Sequence, residues 1–167
     1  MRYQNTFQME NELHNHIKNL PICQSVNEMT FSMPENMSIG YRRYSGSHYD
    51  FKNVKTLKLN QCEWHDNVIH LLSTSRNMEN LLNLNLSNVF SNKDGEENLE
   101  LIATKCPNLE SITFERCTGV YDKGVKFIIS NCKNLKNMFL VGLSNIKDDF
   151  IKDIRNNYPL LELKYEN

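Results

Sequence analysis

The sequence predicts an α/β solenoid: about six short parallel strands on a concave face, helices on the convex face, and a capping helix at the N-terminus. Three observations predict it. A short apolar signature, apolar-x-x-apolar-x-apolar, occurs six times. Its copies stand at nearly equal intervals, and the segments between them carry helical apolar faces. Self-similarity at a fixed period of roughly 20–50 residues marks stacked units, because one such unit cannot bury its apolar face alone.

The signature reads, in order, Val26, Met29, Phe31; Val54, Leu57, Leu59; Leu81, Leu84, Leu86; Leu109, Ile112, Phe114; Leu135, Met138, Leu140; and Leu160, Leu163, Tyr165. First positions are separated by 28, 27, 28, 26 and 25 residues. Alternation over the last part of each copy is the period of a strand with one face inward. Strands recurring once per unit, with a crossover between them, must lie parallel. This is the pattern of a leucine-rich repeat, and the chain reads as a leucine-rich-repeat solenoid.

The crossovers read as helices. Val68, Leu71 and Leu72 follow Asp66; Leu99 and Ile102 follow Asp94; Val125, Ile128 and Ile129 follow Asp122; Phe150, Ile151 and Ile154 follow Asp148 and Asp149, with Pro159 ending the run. An acidic residue at each start is expected to act as an N-cap, its oxygen accepting a free backbone N–H. Before the repeats, Met9, Leu13, Ile17 and Leu20 form an amphipathic stripe stopped by Pro21. Residues 1–21 are therefore expected to be a capping helix and 22–167 the repeat domain, since solenoid ends need shielding. An irregular stretch from Pro34 to Asp50 replaces the first crossover helix. Its Tyr41-Arg-Arg-Tyr44 run reads as a solvated loop rather than a contact site.

Composition removes several function classes. Across 167 residues, 19 Lys and Arg balance 20 Asp and Glu for a net charge of −1, which leaves no basic surface for a nucleic-acid backbone. No apolar run reaches the roughly 18 residues of a membrane span, and the first 20 residues hold neither an apolar signal core nor the positive charge of an organelle presequence. Five cysteines are an odd set for a disulfide framework. Cys62 and Cys117 recur three residues after the last apolar residue of a strand, where Val89 and Leu143 stand in other units. Cys106 and Cys132 recur three residues before the signature. Positions that keep the period are packing positions, and reduced, buried thiols are expected there.

Catalytic and cofactor chemistry find little support. Cys62, His65 and Asp66 could form a nucleophile or half a metal site, yet the second ligand pair that zinc needs is missing; His14 and His16 sit on the cap helix. Six glycines are scattered without a phosphate loop. The expectation is a chain that is not an enzyme and takes no cofactor or metal. The better candidate is the concave face, where residues between the inward apolar ones point out. These are Thr56, Lys58 and Asn60; Asn83, Asn85 and Ser87; Ser111, Thr113 and Glu115; and Asn137, Phe139 and Val141. Lys58, Asn85, Thr113, Glu115, Phe139 and Val141 are the expected protein-binding residues. Phe139 and Val141 supply apolar groups in a polar surround, a composition that marks protein contacts, or they lie beneath the C-terminal tail.

Several segments in order resemble one family. They are Met-Ser-Ile-Gly at 37–40, Val54-x-x-Leu57-x-Leu59-x-x-Cys62, Cys117-Thr-Gly-Val-Tyr-Asp-Lys-Gly124, Asn134-Leu-Lys136 and Pro159-Leu-Leu-Glu-Leu-Lys164. Together, across Ile22 to Lys164, they resemble the mitochondrial ATP synthase subunit s family, also called coupling factor B. Its close relatives assist assembly of the distal membrane arm of respiratory complex I. The resemblance implies a non-catalytic subunit or assembly factor, on the matrix side of the mitochondrial inner membrane, binding protein subunits of a membrane complex. The chain departs from the family by an extra repeat at about Met78 to Lys105, by a shorter region before the repeats, and by Asn60-Gln61-Cys62 in place of a Cys-x-Cys pair. Cysteine-containing repeats also occur in F-box proteins, the substrate-recognition modules of ubiquitin ligases. That reading needs a helical bundle upstream, for which 20 residues are too few.

Overall fold

The structure is a computed structural model, and it describes residues 28–32, 51–61, 69–90 and 96–167. The expected capping helix over 1–21, the irregular stretch from Pro34 to Asp50, and Cys62, His65, Asp66 and Asp94 lie outside the described residues.

Among the described residues six strands of five residues each make one open sheet: β1 (Glu28–Ser32), β2 (Thr56–Asn60), β3 (Asn83–Ser87), β4 (Ser111–Glu115), β5 (Asn137–Val141) and β6 (Glu162–Glu166). They stand in sequence order, every pair parallel. Adjacent parallel strands need a crossover, and the described crossovers carry α1 (His70–Thr74), α2 (Glu96–Lys105), α3 (Asp122–Asn131) and α4 (Asp148–Asn157). The chain is thus an α/β fold built on a parallel sheet.

Register follows the apolar signature without a slip. Met29, Leu57, Leu84, Ile112, Met138 and Leu163 are partnered strand to strand, as are Phe31, Leu59, Leu86, Phe114, Leu140 and Tyr165. From β2 to β5 these inward side chains are buried in one cluster with Leu72, Leu99, Ile102, Ile128, Ile151 and Ile154 of the helices. Burying each large apolar side chain stabilises the fold by about 1.5–3 kcal/mol, and a one-residue slip would turn a whole row outward. Val54, Leu81 and Leu109, just ahead of their strands, are also fully buried.

The ladder continues beyond the strands. One carbonyl accepts two N–H groups at the entries to β3, β4 and β5: Lys55 O from Leu82 and Asn83, Leu82 O from Glu110 and Ser111, Glu110 O from Lys136 and Asn137. At each exit the first residue past the strand is left-handed: Gln61 (φ 56), Asn88 (φ 52), Arg116 (φ 50) and Gly142 (φ 62). Each donates its N–H to the last residue of the next strand, Ser87, Glu115, Val141 and Glu166 respectively, at 3.0, 2.8, 2.8 and 2.7 Å. Asn and Gly adopt this backbone more readily than other residues; Gln61 and Arg116 are held there by the ladder.

Two expectations are corrected. Leu160 does not open the last copy of the signature. It is 95% exposed, while Leu161 packs against the core. The turn that leads into each strand is the same, with Leu135 N donating to Cys132 O and Leu161 N to Tyr158 O. The remaining link is one residue shorter, so Leu161 lies directly before Glu162 whereas Leu135 lies two before Asn137. Second, at the two described starts the acidic residues are not N-caps. Tyr121 and Lys147 hold those positions without side-chain capping bonds, and Asp122 and Asp148 begin the helices. Negative charge in the first turn still favours the helix through its dipole, but Asp122 Oδ1 accepts from Lys147 N of the next unit at 3.2 Å. Among the described residues, the crossover after β2 carries the expected helix as the five-residue α1, followed by a 3-10 turn at Met78–Asn80. Ser73, Thr74 and Ser75 compete for backbone hydrogen bonds and make a poor helix interior.

Candidate functional site

The strand residues between the buried ones share the sheet face opposite the core. From β2 to β5 each strand alternates half-buried and buried positions. By backbone register these positions and their counterparts on β1 and β6 align in three rows across the sheet. The first runs Glu28, Thr56, Asn83, Ser111, Asn137, Glu162; the second Thr30, Lys58, Asn85, Thr113, Phe139, Lys164; the third Ser32, Asn60, Ser87, Glu115, Val141, Glu166. Neighbours within a row are one strand spacing apart, about 4.8 Å.

The six sequence-predicted residues come together. Lys58, Asn85, Thr113 and Phe139 are consecutive in the middle row, and Glu115 and Val141 are adjacent in the third. Their surroundings divide the face. Around β2 to β4 several polar side chains bond one another. Lys58 Nζ pairs with Glu28 Oε1 at 2.6 Å, Asn83 Nδ2 donates to Thr56 Oγ1 at 3.2 Å, and Ser87 Oγ donates to Asn85 Oδ1 at 2.8 Å. Ser87 Oγ also lies 3.4 Å from Glu115 Oε2, and beyond the strands Asn88 Nδ2 donates to Asn60 Oδ1 at 3.1 Å. Lys58 is therefore already engaged, although both members of its pair are about half-exposed and such pairs hold weakly.

On β5 the character changes. Phe139 and Val141 stand side by side, half-buried, between Thr113 and Glu115 on one flank and Lys164 and Glu166 on the other. The C-terminal segment does not fold over them. It pairs as β6, and its Lys164 Nζ and Glu166 Oε1 form an ion pair at 2.9 Å along their border. An apolar step bounded by charges on a hydrogen-bonded strand platform presents what a protein contact requires: a part to desolvate and a polar rim.

The thiols point away from chemistry. Burial pushes Cys106 up to about 12, with the neighbouring Cys132 adding to the effect, and burial raises Cys117 and Cys132 to about 11 each. Cys117 Sγ contacts Leu86 O at 3.2 Å and Cys132 Sγ contacts Cys106 O at 3.6 Å. A reactive cysteine needs the opposite, a lowered pKa and access. Among the described residues no three His, Cys, Asp or Glu side chains gather as metal ligands, and no helix is long and apolar enough to cross a membrane.

Sequence reasoning missed two parts of the site. The left-handed residues fix where each strand's outward row ends, and only Asn88 and Gly142 signal that backbone in their identity. The Lys164–Glu166 pair became part of the face because β6 takes its place beside β5; the alternation of Glu162, Lys164 and Glu166 with Leu163 and Tyr165 carried that signal. No protein-family model matches this chain, and no curated protein matches it.

Proposed function

We propose that this chain is a leucine-rich-repeat solenoid acting as a non-catalytic protein-binding subunit or assembly factor of a mitochondrial energy-transducing complex, ATP synthase or respiratory complex I. The reading rests on the repeat pattern together with the ordered segments that resemble the ATP synthase subunit s family. That family's setting, the matrix side of the inner membrane, is part of the proposal. The observation that carries the binding role is the apolar step of Phe139 and Val141 inside a polar, mutually hydrogen-bonded strand face.

In this reading the partner seats an apolar side chain on Phe139 and Val141 and meets Glu115 and Lys164 at the rim. Lys58, Asn85 and Thr113 extend the contact along the middle row. Central apolar contacts carry most of the affinity of such interfaces, and rim charges set register and approach. Anchoring to the membrane is then through the partner complex, which accords with the absence of a membrane-crossing helix among the described residues.

Affinity purification from mitochondria with mass spectrometry tests this. The wild-type chain is expected to bring down ATP synthase or complex I subunits and to co-migrate with their complex in a native gel. The pair Phe139→Asp and Val141→Asp is expected to release them while the chain stays folded. Recovery of ubiquitin-ligase subunits instead would move the chain to the F-box type of repeat protein.

A further inference from the structure

We propose that β6 is a homodimer contact, through which two copies of this chain pair edge to edge, antiparallel about a twofold axis, to join two six-stranded sheets. Among the described residues β6 has a strand on one side only. Its inward side chains, Leu161, Leu163 and Tyr165, are half-buried where their counterparts on β2 to β4 are sealed. Leu160 stands beside them 95% exposed.

The backbone shows which groups are open. Glu162 N donates to Lys136 O at 2.8 Å, and Gly142 N donates to Glu166 O at 2.7 Å. In a parallel ladder alternate residues face one neighbour, so Glu162, Lys164 and Glu166 turn their amides to β5 while Leu163 and Tyr165 turn theirs to the open edge. An antiparallel copy must set these outward residues opposite each other, which limits the alignment to centres on Leu163, Lys164 or Tyr165.

Charge chooses among them. Centred on Lys164, the strand sets lysine against lysine and Glu162 against Glu166, a like-charge arrangement throughout. Centred on Tyr165, Lys164 meets Glu166, but Leu163 faces the polar Asn167 rather than an apolar partner. Centred on Leu163, Glu162 of each copy stands opposite the second copy's Lys164. Leu163 then meets Leu163, and Leu161 meets Tyr165 on the core side. Directly opposed opposite charges and apolar pairs both stabilise a strand pair, and like charges oppose it. Edge-strand charges ordinarily deter pairing, but these project from the sheet face rather than along the edge, so they deter only alignments that bring like signs together. The segment Glu162-Leu163-Lys164 is complementary to itself in the Leu163-centred register.

Sedimentation of the full 167-residue chain across a concentration series tests the pairing. The wild type is expected to pass from one chain mass to two. Lys164→Glu sets like charges across the twofold axis and is expected to weaken dimerisation by roughly tenfold or more. Adding Glu162→Lys to Lys164→Glu restores the opposite-sign contacts and is expected to restore the dimer. Both side chains are exposed, and circular dichroism confirms that each variant remains folded. A wild type of one chain mass at every concentration overturns the proposal, even if it captures a foreign strand. So does a Lys164→Glu dimer as tight as the wild type, or a folded double variant that stays a monomer.

Discussion

Cys106, Cys117 and Cys132 are protonated inside the core, and their environment ties stability to pH in one direction. Unfolded thiols ionise near 9.0, whereas burial holds Cys106 to about 12 and the other two to about 11. Above pH 9 the unfolded chain has therefore lost protons that the folded chain keeps, and stability falls as pH rises through that window. Below 9 both states are protonated and the thiols contribute no slope. Urea midpoints taken on either side of pH 9 are expected to fall on the alkaline side, and Cys106→Ala is expected to flatten that fall. An unchanged slope in Cys106→Ala would mean that other groups set it. The periodic placement of these thiols is legible in the sequence because they share positions with ordinary apolar residues: the turn made by Cys106 and Cys132 is made by Phe51 and Met78 in earlier units. What cannot be read there is the left-handed backbone at Arg116, since an arginine announces no such conformation and only the hydrogen bond to Val141 O imposes it.

The last strand unit shows how an element can keep its register while its sequence signature misleads. Leu160, Leu163 and Tyr165 match the apolar pattern as well as any other copy, and that is why Leu160 reads as a core position. The shortened link after Tyr158 moves the core position to Leu161. Both residues are leucines, so composition alone cannot tell them apart; the distinction lies in how many residues separate the helix end from the strand. Leu161→Ala is expected to lower stability by roughly 1–2 kcal/mol, less than the ~2–5 kcal/mol of a fully buried leucine because Leu161 is only half-buried. Leu160→Ala is expected to stay within about 0.5 kcal/mol, as for an exposed site. Equal losses in chemical denaturation would return Leu160 to the core. The helix starts carry a related lesson. The recurring aspartates mark correctly where α3 and α4 begin, but Asp122 uses its carboxylate to reach Lys147 of the neighbouring unit, a contact that depends on stacking and so leaves no local trace.

At the scale of the whole molecule, the sequential strand order makes each unit depend on its neighbours and on little else. The sheet order is legible from the near-constant spacing, because a parallel strand returned once per unit has its predecessor as the nearest place to pair. The candidate binding face is legible by the same alternation, while its division into a largely hydrogen-bonded polar half and an apolar step required the neighbours' side chains. Stability in such a stack is close to a sum of unit and interface terms, and an end unit has one interface where an interior unit has two. The two ends of the described C-terminal half differ accordingly. Strand β4 lies between two strands with Ile112 and Phe114 fully buried, whereas β6 has one neighbour and half-buried Leu163 and Tyr165. Local opening free energies follow the number of buried contacts that must be broken. Amide exchange is therefore expected to be slowest in β4 and to quicken through β5 to β6. Within β6, the amides of Lys164 and Glu166, which turn toward β5, should exchange more slowly than those of Leu163 and Tyr165, which turn to the edge. Measured in dilute solution, where copies are apart, a uniform rate across β4, β5 and β6 would show that the chain opens as one cooperative block. The protection gradient instead follows from stacking, since the innermost strand cannot open until its outer neighbours have done so.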